Sequence, residues 1–382
     1  MFLVSCLETC SWSLSVITGS SLNSWCTGPG SFLDRVQSIV LFGFQLCWPV
    51  LGTTLCHSLV VLTTVMWVLL LVLLTVIYLF RWNRNKQILP NLTDKYVLIT
   101  GCDSGFGNLA AKQLDKRGLH VLAACLSQRG AESLKKETSN RLKTVILDVT
   151  DSQSVSSAAK WVAGIVGDKG LWGVVNNAGV AVPTAPNEWL NKEDFSKILN
   201  VNLLGVVDVT LKMLPLIRKA RGRVVNVASI AGRLTICGGG YCMSKYGVES
   251  FSDSIRRELA RFGVKVCIIE PGFFMTQMTD AKLMKENLKN TWTRLPEEIR
   301  RSYGLAYYEK FCRTTDHSFS TSSSKLHLVS DSMEHALTAV YPKTRYSAGW
   351  DAKLLYLPLS YLPTAITDFL FSIVLPTPAQ SA

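Results

Sequence analysis

The chain has 382 residues, room for one large domain with extensions. Charged residues make up 18% and hydrophobic ones 48%, an apolar balance for a soluble enzyme. The net charge of +12 comes from dispersed lysines and arginines with no nucleic-acid motif beside them, which argues against an RNA or DNA partner, and no cysteine or histidine spacing suggests a zinc site or a disulfide framework.

Residues 1–58 carry Cys6, Cys10, Cys26, Cys47 and Cys56 with little helical or strand periodicity, and are left as an unassigned extension. Leu59–Phe80 is 22 uncharged residues; at about 1.5 Å each it reaches roughly 33 Å, enough to cross a bilayer as a helix. Ile39–Cys56 is a weaker second candidate, interrupted by Gln45, Pro49 and Gly52. Arg81, Arg84 and Lys86 follow the apolar run, whereas Val36–Ser58 holds no lysine or arginine. The positive-inside rule therefore expects the catalytic domain on the cytosolic side, with membrane lipid as a partner for these cations. A start at Met66 would leave only 15 apolar residues, Met66–Phe80. The sequon Asn91-Leu92-Thr93 is expected to stay unmodified.

Residues 91–272 read as the catalytic core. Tyr96–Thr100 is a buried strand followed at once by Gly101, Gly105 and Gly107 and then by a helical pattern. Glycines between a strand and a helix start let the backbone approach a pyrophosphate, which then sits on the helix N-terminus. Further strands are expected at Val121–Leu126, Thr144–Val149 (containing Asp148), Leu171–Val175 (leading into Asn176-Asn177-Ala178-Gly179), Arg223–Val227 and Val264–Ile269. Helical patterns cover Phe195–Leu214, which carries Asn202, and Tyr241–Phe262. This alternation predicts an α/β, Rossmann-like doubly wound parallel sheet with ligands at the strand C-termini, preceded by an N-terminal membrane helix.

The stretch Ser229–Lys245 holds the candidate chemistry. Tyr241 and Lys245 are four apart and share one helix face. A free phenol titrates near about 10, and a neighbouring ammonium favours the phenolate, which makes the pair a general acid/base. Ser229, emerging from the strand before it, can hydrogen-bond the reacting oxygen.

Residues 273–350 read as a substrate-pocket or lid region, with helical patterns at Leu283–Trp292 and Glu297–Phe311 and a short polar loop at Ser318–Ser324. Its aromatic stripe, including Tyr303, Tyr307 and Tyr308, is more often core than a ligand box. Residues 351–382 form an apolar C-terminal segment whose Pro358, Pro363 and Pro376 argue against a second straight span.

With these residues in view, the chain resembles the short-chain dehydrogenase/reductase family. The resemblance rests on Thr100-Gly101-x3-Gly105-x-Gly107, Asp148, the NNAG stretch, Asn202, Ser229, Tyr241, Lys245, Pro271-Gly272 and Thr276. The segments ITGCDSGFGN, GGGYCMSKYGVE and TRYSAGWDAKLL look like the microsomal retinol dehydrogenases and their hydroxysteroid (17-beta) dehydrogenase relatives, over roughly Met66 to the C-terminus. The resemblance implies Tyr241 as catalytic base, Lys245 lowering its pKa and touching the nicotinamide ribose, Ser229 positioning the substrate hydroxyl, and Asn202 holding a proton-relay water. It implies a cofactor cradle of Thr100, Gly101, Gly105, Phe106, Gly107, Asp148, Asn176, Ala178, Tyr241, Lys245, Pro271 and Thr276.

One departure concerns the cofactor. The second strand runs Ala124-Cys125-Leu126 into Ser127-Gln128-Arg129, without the acid that would favour NAD, and Arg129 could meet a 2′-phosphate. Similar proteins mostly use NAD, so NAD is expected and NADP stays open. The expected activity is oxidation of a lipophilic alcohol at the endoplasmic reticulum membrane, retinol to retinal, with a 3α- or 17β-hydroxysteroid as the close alternative. A non-catalytic lipid or cofactor binder and an NADP-dependent carbonyl reductase are the other readings, and the sequence also admits a homo-oligomer.

Overall fold

The computed structural model describes residues 32–381, with side chains described at 40, 41 and from 58 onward. Two compact units divide between Arg81 and Trp82. The sequence expectations for residues 1–31 lie outside the described residues.

Helix α1 runs from Phe32 to Lys86, 55 residues without a break. It takes in Ile39–Cys56, the weaker second candidate, whose Pro49 and Gly52 do not end the helix. Its part Ser58–Lys86, 29 residues, is long and apolar enough to cross a membrane. All side chains from Leu59 to Phe80 are exposed.

Seven strands follow, β1 (Tyr96–Thr100), β2 (His120–Cys125), β3 (Lys143–Ile146), β4 (Gly173–Asn176), β5 (Arg223–Val227), β6 (Lys265–Pro271) and β7 (Arg345–Ala348). They form one sheet in the order β3-β2-β1-β4-β5-β6-β7. Every pairing is parallel; Ile99 sits beside Ala123 on one side and Val175 on the other. The strand order reverses between β1 and β4, the crevice where such sheets take ligands.

Two apolar layers cover the sheet. Val97 and Ile99 join α2 (Gly105–Lys116), α3 (Gln128–Lys136) and α11 (His327–Thr338) through Ala111, Leu134 and Met333. Leu98, on the opposite face by strand alternation, joins α4 (Ser152–Val166), α6 (Gly205–Ala220) and α7 (Gly240–Leu259) through Val162, Met213 and Ile255. Lys192–Ala220 is also long and apolar enough to cross a membrane. It is α5 (Lys192–Leu199), a π-turn at Asn200–Leu204 and α6, and Ile198, Val209, Met213 and Ile217 are buried in the domain core.

The expected helix Glu297–Phe311 is two helices, α9 (Glu297–Tyr303) and α10 (Leu305–Ser320), broken by Gly304 at φ +81°. With α8 (Ala281–Thr293) they pack on Trp189, whose ring lies 5.0 Å from Trp292 and 5.3 Å from Tyr303. The aromatic stripe is therefore largely a core of its own. Helix α10 also absorbs Ser318–Ser320, the first three residues of the expected polar loop. After β7 come a π-turn at Ala352–Tyr356, the short α12 (Leu357–Leu359) and α13 (Thr364–Val374), with a bend of 119° between the two apolar stretches. Leu354, Tyr361, Phe369 and Ile373 stay exposed there. At the other end of the domain, Leu89 N–H donates to Thr338 C=O and Val340 N–H to Gln87 C=O, each at 2.8 Å.

Candidate active site

The glycine loop joins β1 to α2. Gly101 (φ +69°) and Gly105 (φ +60°) hold a backbone that L side chains rarely adopt. A Cβ on Gly107 would stand 2.4 Å from Gly101 O and from Asn177 Nδ2, so the loop closes only without one. Phe106 packs edge-on to Phe274 at 5.6 Å. Helix α2 has no acidic residue in its first turn and no side-chain cap from Ser104, so its N-terminal dipole is left for an anion. Ser104 Oγ donates instead to Gln277 Oε1 at 2.9 Å.

The ends of β1 and β4 are stitched together. Thr100 Oγ1 accepts from the backbone N–H groups of Asn177 and Ala178, both at 3.0 Å, and Asn177 Nδ2 donates to Thr100 O at 2.9 Å and Gly101 O at 3.0 Å. Asn176 faces the other way: its Nδ2 donates to Thr210 Oγ1 and Asn226 Oδ1, each at 2.8 Å, inside the core. Asn177 is the residue of the pair that meets the glycine loop, and the sequence reading named Asn176. Asp148 lies two residues past β3, where its Oδ1 accepts from Thr150 N at 2.8 Å and Thr150 Oγ1 at 2.7 Å. Thr276 opens a turn beside Gly105, where a Cβ on the glycine would be 3.8 Å from the threonine side chain.

Ser229, Tyr241 and Lys245 converge at the same rim. Ser229 follows β5; its Oγ accepts from Ala231 N at 3.1 Å, lies 3.5 Å from Pro271 O and hydrogen-bonds Tyr241. Arg233, after the same turn, pairs with buried Glu270 of β6 at 2.9 Å and ties the turn down. Tyr241 and Lys245 stand on the first turns of α7, with the Lys245 ammonium 5.7 Å from the Tyr241 ring centroid. Lys245 Nζ donates to Val227 O at 2.8 Å. Burial pushes the Tyr241 phenol up to about 12, although its bond to Ser229 pulls the other way. Burial also brings Lys245 down to about 8, with Glu249 opposing. The sequence argument expects the ammonium to favour the phenolate; burial of the hydroxyl is the largest influence on the phenol in the structure.

Asn202 sits in the π-turn, a distortion frequent at functional sites. Its Nδ2 donates to Val180 O at 2.8 Å and Ser244 Oγ at 3.1 Å, and its Oδ1 accepts from Val180 N at 2.8 Å. One lone pair of Oδ1 remains for a water. A separate cleft of about 390 Å³, lined by Tyr96, His120, Arg141 and Lys143 among others, opens at the N-terminal ends of the strands and takes no part in this chemistry.

The residues present fit a dinucleotide: a glycine turn that a Cβ would fill, a helix start without an anion of its own, and an acid/base pair at one rim of the sheet. Fold and site together define a nicotinamide-dependent oxidoreductase of the Rossmann type. The family model for short chain dehydrogenase matches residues 95–287. The chain is 58% identical over 316 residues to 17-beta-hydroxysteroid dehydrogenase type 6 of Rattus norvegicus, covering 83% of this chain and 100% of that protein. Retinol dehydrogenase 16 of Homo sapiens is 56% identical over 316 residues, with the same coverage of 83% and 100%. Retinol dehydrogenase 7 of Rattus norvegicus is 57% identical over 303 residues, 79% of this chain and 96% of that protein. Among solved structures, a short-chain dehydrogenase/reductase of Burkholderia phymatum in complex with NAD shares the fold at TM-score 0.57 and 20% identity, covering 75% of this chain and 98% of that one. The chain belongs to the short-chain dehydrogenase family, within its group of retinol and hydroxysteroid dehydrogenases.

Proposed function

We infer that this protein is a membrane-anchored dehydrogenase that oxidises a lipophilic alcohol, retinol to retinal, with NAD. The observation that carries the reading is the meeting of Ser229, Tyr241 and Lys245 at the strand C-termini beside the glycine loop. The bound nicotinamide supplies the hydride acceptor. Tyr241 takes the alcohol proton, Ser229 orients the substrate oxygen, and Lys245 carries positive charge next to the phenol. Asn202 offers its free Oδ1 lone pair to a water on the way to Lys245. Thr100, Gly101, Gly105, Phe106, Gly107, Ala178, Pro271 and Thr276 would hold the cofactor, with Asp148 serving its adenine. Asn176 supports this cradle from within the core.

A hydroxysteroid is the second reading, favoured by the 58% identity to a 17-beta-hydroxysteroid dehydrogenase. Turnover of retinol and androstanediol side by side, each with NAD and NADP, tests both; no turnover of either alcohol overturns them. The basic residues after the apolar part of α1 support an endoplasmic reticulum enzyme with its catalytic domain in the cytosol. Protease added to sealed microsomes should digest that domain and leave Asn91 without sugar. Full protection until detergent is added would reverse the orientation.

A further inference from the structure

We propose that Asp103, a glycine-loop residue, reads the adenosine ribose in this chain and favours a free 2′-hydroxyl over a 2′-phosphate. The inference rests on the dinucleotide reading of the site and deepens it. In this fold the acid that selects NAD stands at the end of β2, about 20 residues past the first glycine. Here that position reads Cys125-Leu126-Ser127, with no acid. The structure brings one there from another part of the chain.

Asp103 Oδ2 accepts from Leu126 N–H at 2.7 Å, and Oδ1 accepts from Ser127 N–H at 2.9 Å and Ser127 Oγ at 2.7 Å. The carboxylate is thus fastened to the residues that end β2. Gly130, in the first turn of α3, leaves room for it, since a Cβ there would stand 2.5 Å from Asp103 Oδ1. A carboxylate has about four acceptor sites, and these bonds use three. The remaining one, on Oδ2, can accept a ribose hydroxyl. A phosphate at the same place meets a like charge instead, which is how a site rejects the wrong partner. Arg129 is exposed on the first turn of α3 and forms no ion pair among the described residues. As a cation on the same helix turn as Gly130, it would oppose Asp103.

The test is direct binding of ADP-ribose and 2′-phospho-ADP-ribose to the full chain in detergent, by calorimetry, so that hydride transfer plays no part. Losing a charged hydrogen bond and a like-charge repulsion together should move the affinity ratio by roughly 10–100-fold toward the phosphorylated ligand in Asp103→Asn. Arg129→Asp should move it the opposite way. A folded Asp103→Asn protein with an unchanged ratio overturns the proposal and leaves Asp103 as a loop fastener. If that variant does not fold, Gly130→Ala decides, because it displaces the carboxylate and should shift the ratio in the same direction; an unchanged ratio there also overturns it. A wild-type preference for the phosphorylated ligand would overturn NAD as the cofactor, while the effect of Asp103 is still judged by the change on substitution.

Discussion

Asn202 and Val180 are joined by a reciprocal pair of hydrogen bonds, Val180 N–H to Oδ1 and Nδ2 to Val180 C=O, both 2.8 Å. The side-chain amide thereby imitates a neighbouring strand and pins the chain just past Gly179. Asn202 is fully buried, so Asn202→Asp sets an acceptor against the Val180 carbonyl. The cost should be about 1–3 kcal/mol, read as a lower Tm together with weaker cofactor binding. An unchanged Tm would show that the loop is held by other contacts.

Tyr241→Phe keeps the ring and removes the hydroxyl. Turnover should fall by roughly 10²–10⁴, the usual worth of a general acid/base, while cofactor affinity stays within a few-fold of wild type. Near-normal turnover would move the proton-transfer role to another residue.

Lys245 gives a pH signature. It is 4% exposed, and burial lowers its pKa from 10.5 to about 8. Between those values the unfolded chain holds the proton that the folded chain has released, so stability rises with pH across that window, and below about pH 8 the burial penalty applies in full. The shift corresponds to about 3 kcal/mol. Lys245→Met escapes that penalty, so its stability relative to wild type should be greater at pH 7 than at pH 10, and its turnover should be abolished. A stability difference that does not vary with pH would show that Lys245 keeps its ordinary titration in the fold.

Arg223 makes a purely structural prediction. It opens β5 at 2% exposure, and its guanidinium donates to the carbonyls of Ala336 and Ala339, each at 2.5 Å, at the C-terminal end of α11. Arg223→Met fills a similar volume but leaves both carbonyls unpaired, at about 2–4 kcal/mol. Urea unfolding should show a lower midpoint, and Arg223→Lys, with a single point of donation, should recover only part of the loss.

The glycine loop, five of the six expected strands to within about two residues, and the Tyr241/Lys245 helix were legible because local spacing determines them. The third strand is the exception, since β3 ends at Ile146 and Asp148 turns back on Thr150. The choice between Asn176 and Asn177 was not legible, since adjacent strand residues face opposite ways and sequence does not say which face meets the loop. Asp103 was invisible for a different reason: its partners lie 23 and 24 residues away and meet it only once β1 and β2 pair. Strand β7 was missed because Arg345–Ala348 is four residues long, with no apolar run to mark it. At Gly304 the helical pattern continues through the tyrosines on both sides, and only the positive φ reveals the break.

The bonds from Gln87 and Leu89 to Val340 and Thr338, with His335 Nε2 2.8 Å from the Asn85 carbonyl, set a limit on where the protein can be cut. A version starting at Asn91, the edge of the catalytic core by sequence, loses every one of these partners and uncovers the end of α11, which Arg223 holds from beneath. A version starting at Trp82 keeps them and discards the exposed apolar run. For a version without that run, the workable boundary lies before Asn85, and the shorter form should melt earlier than the longer one.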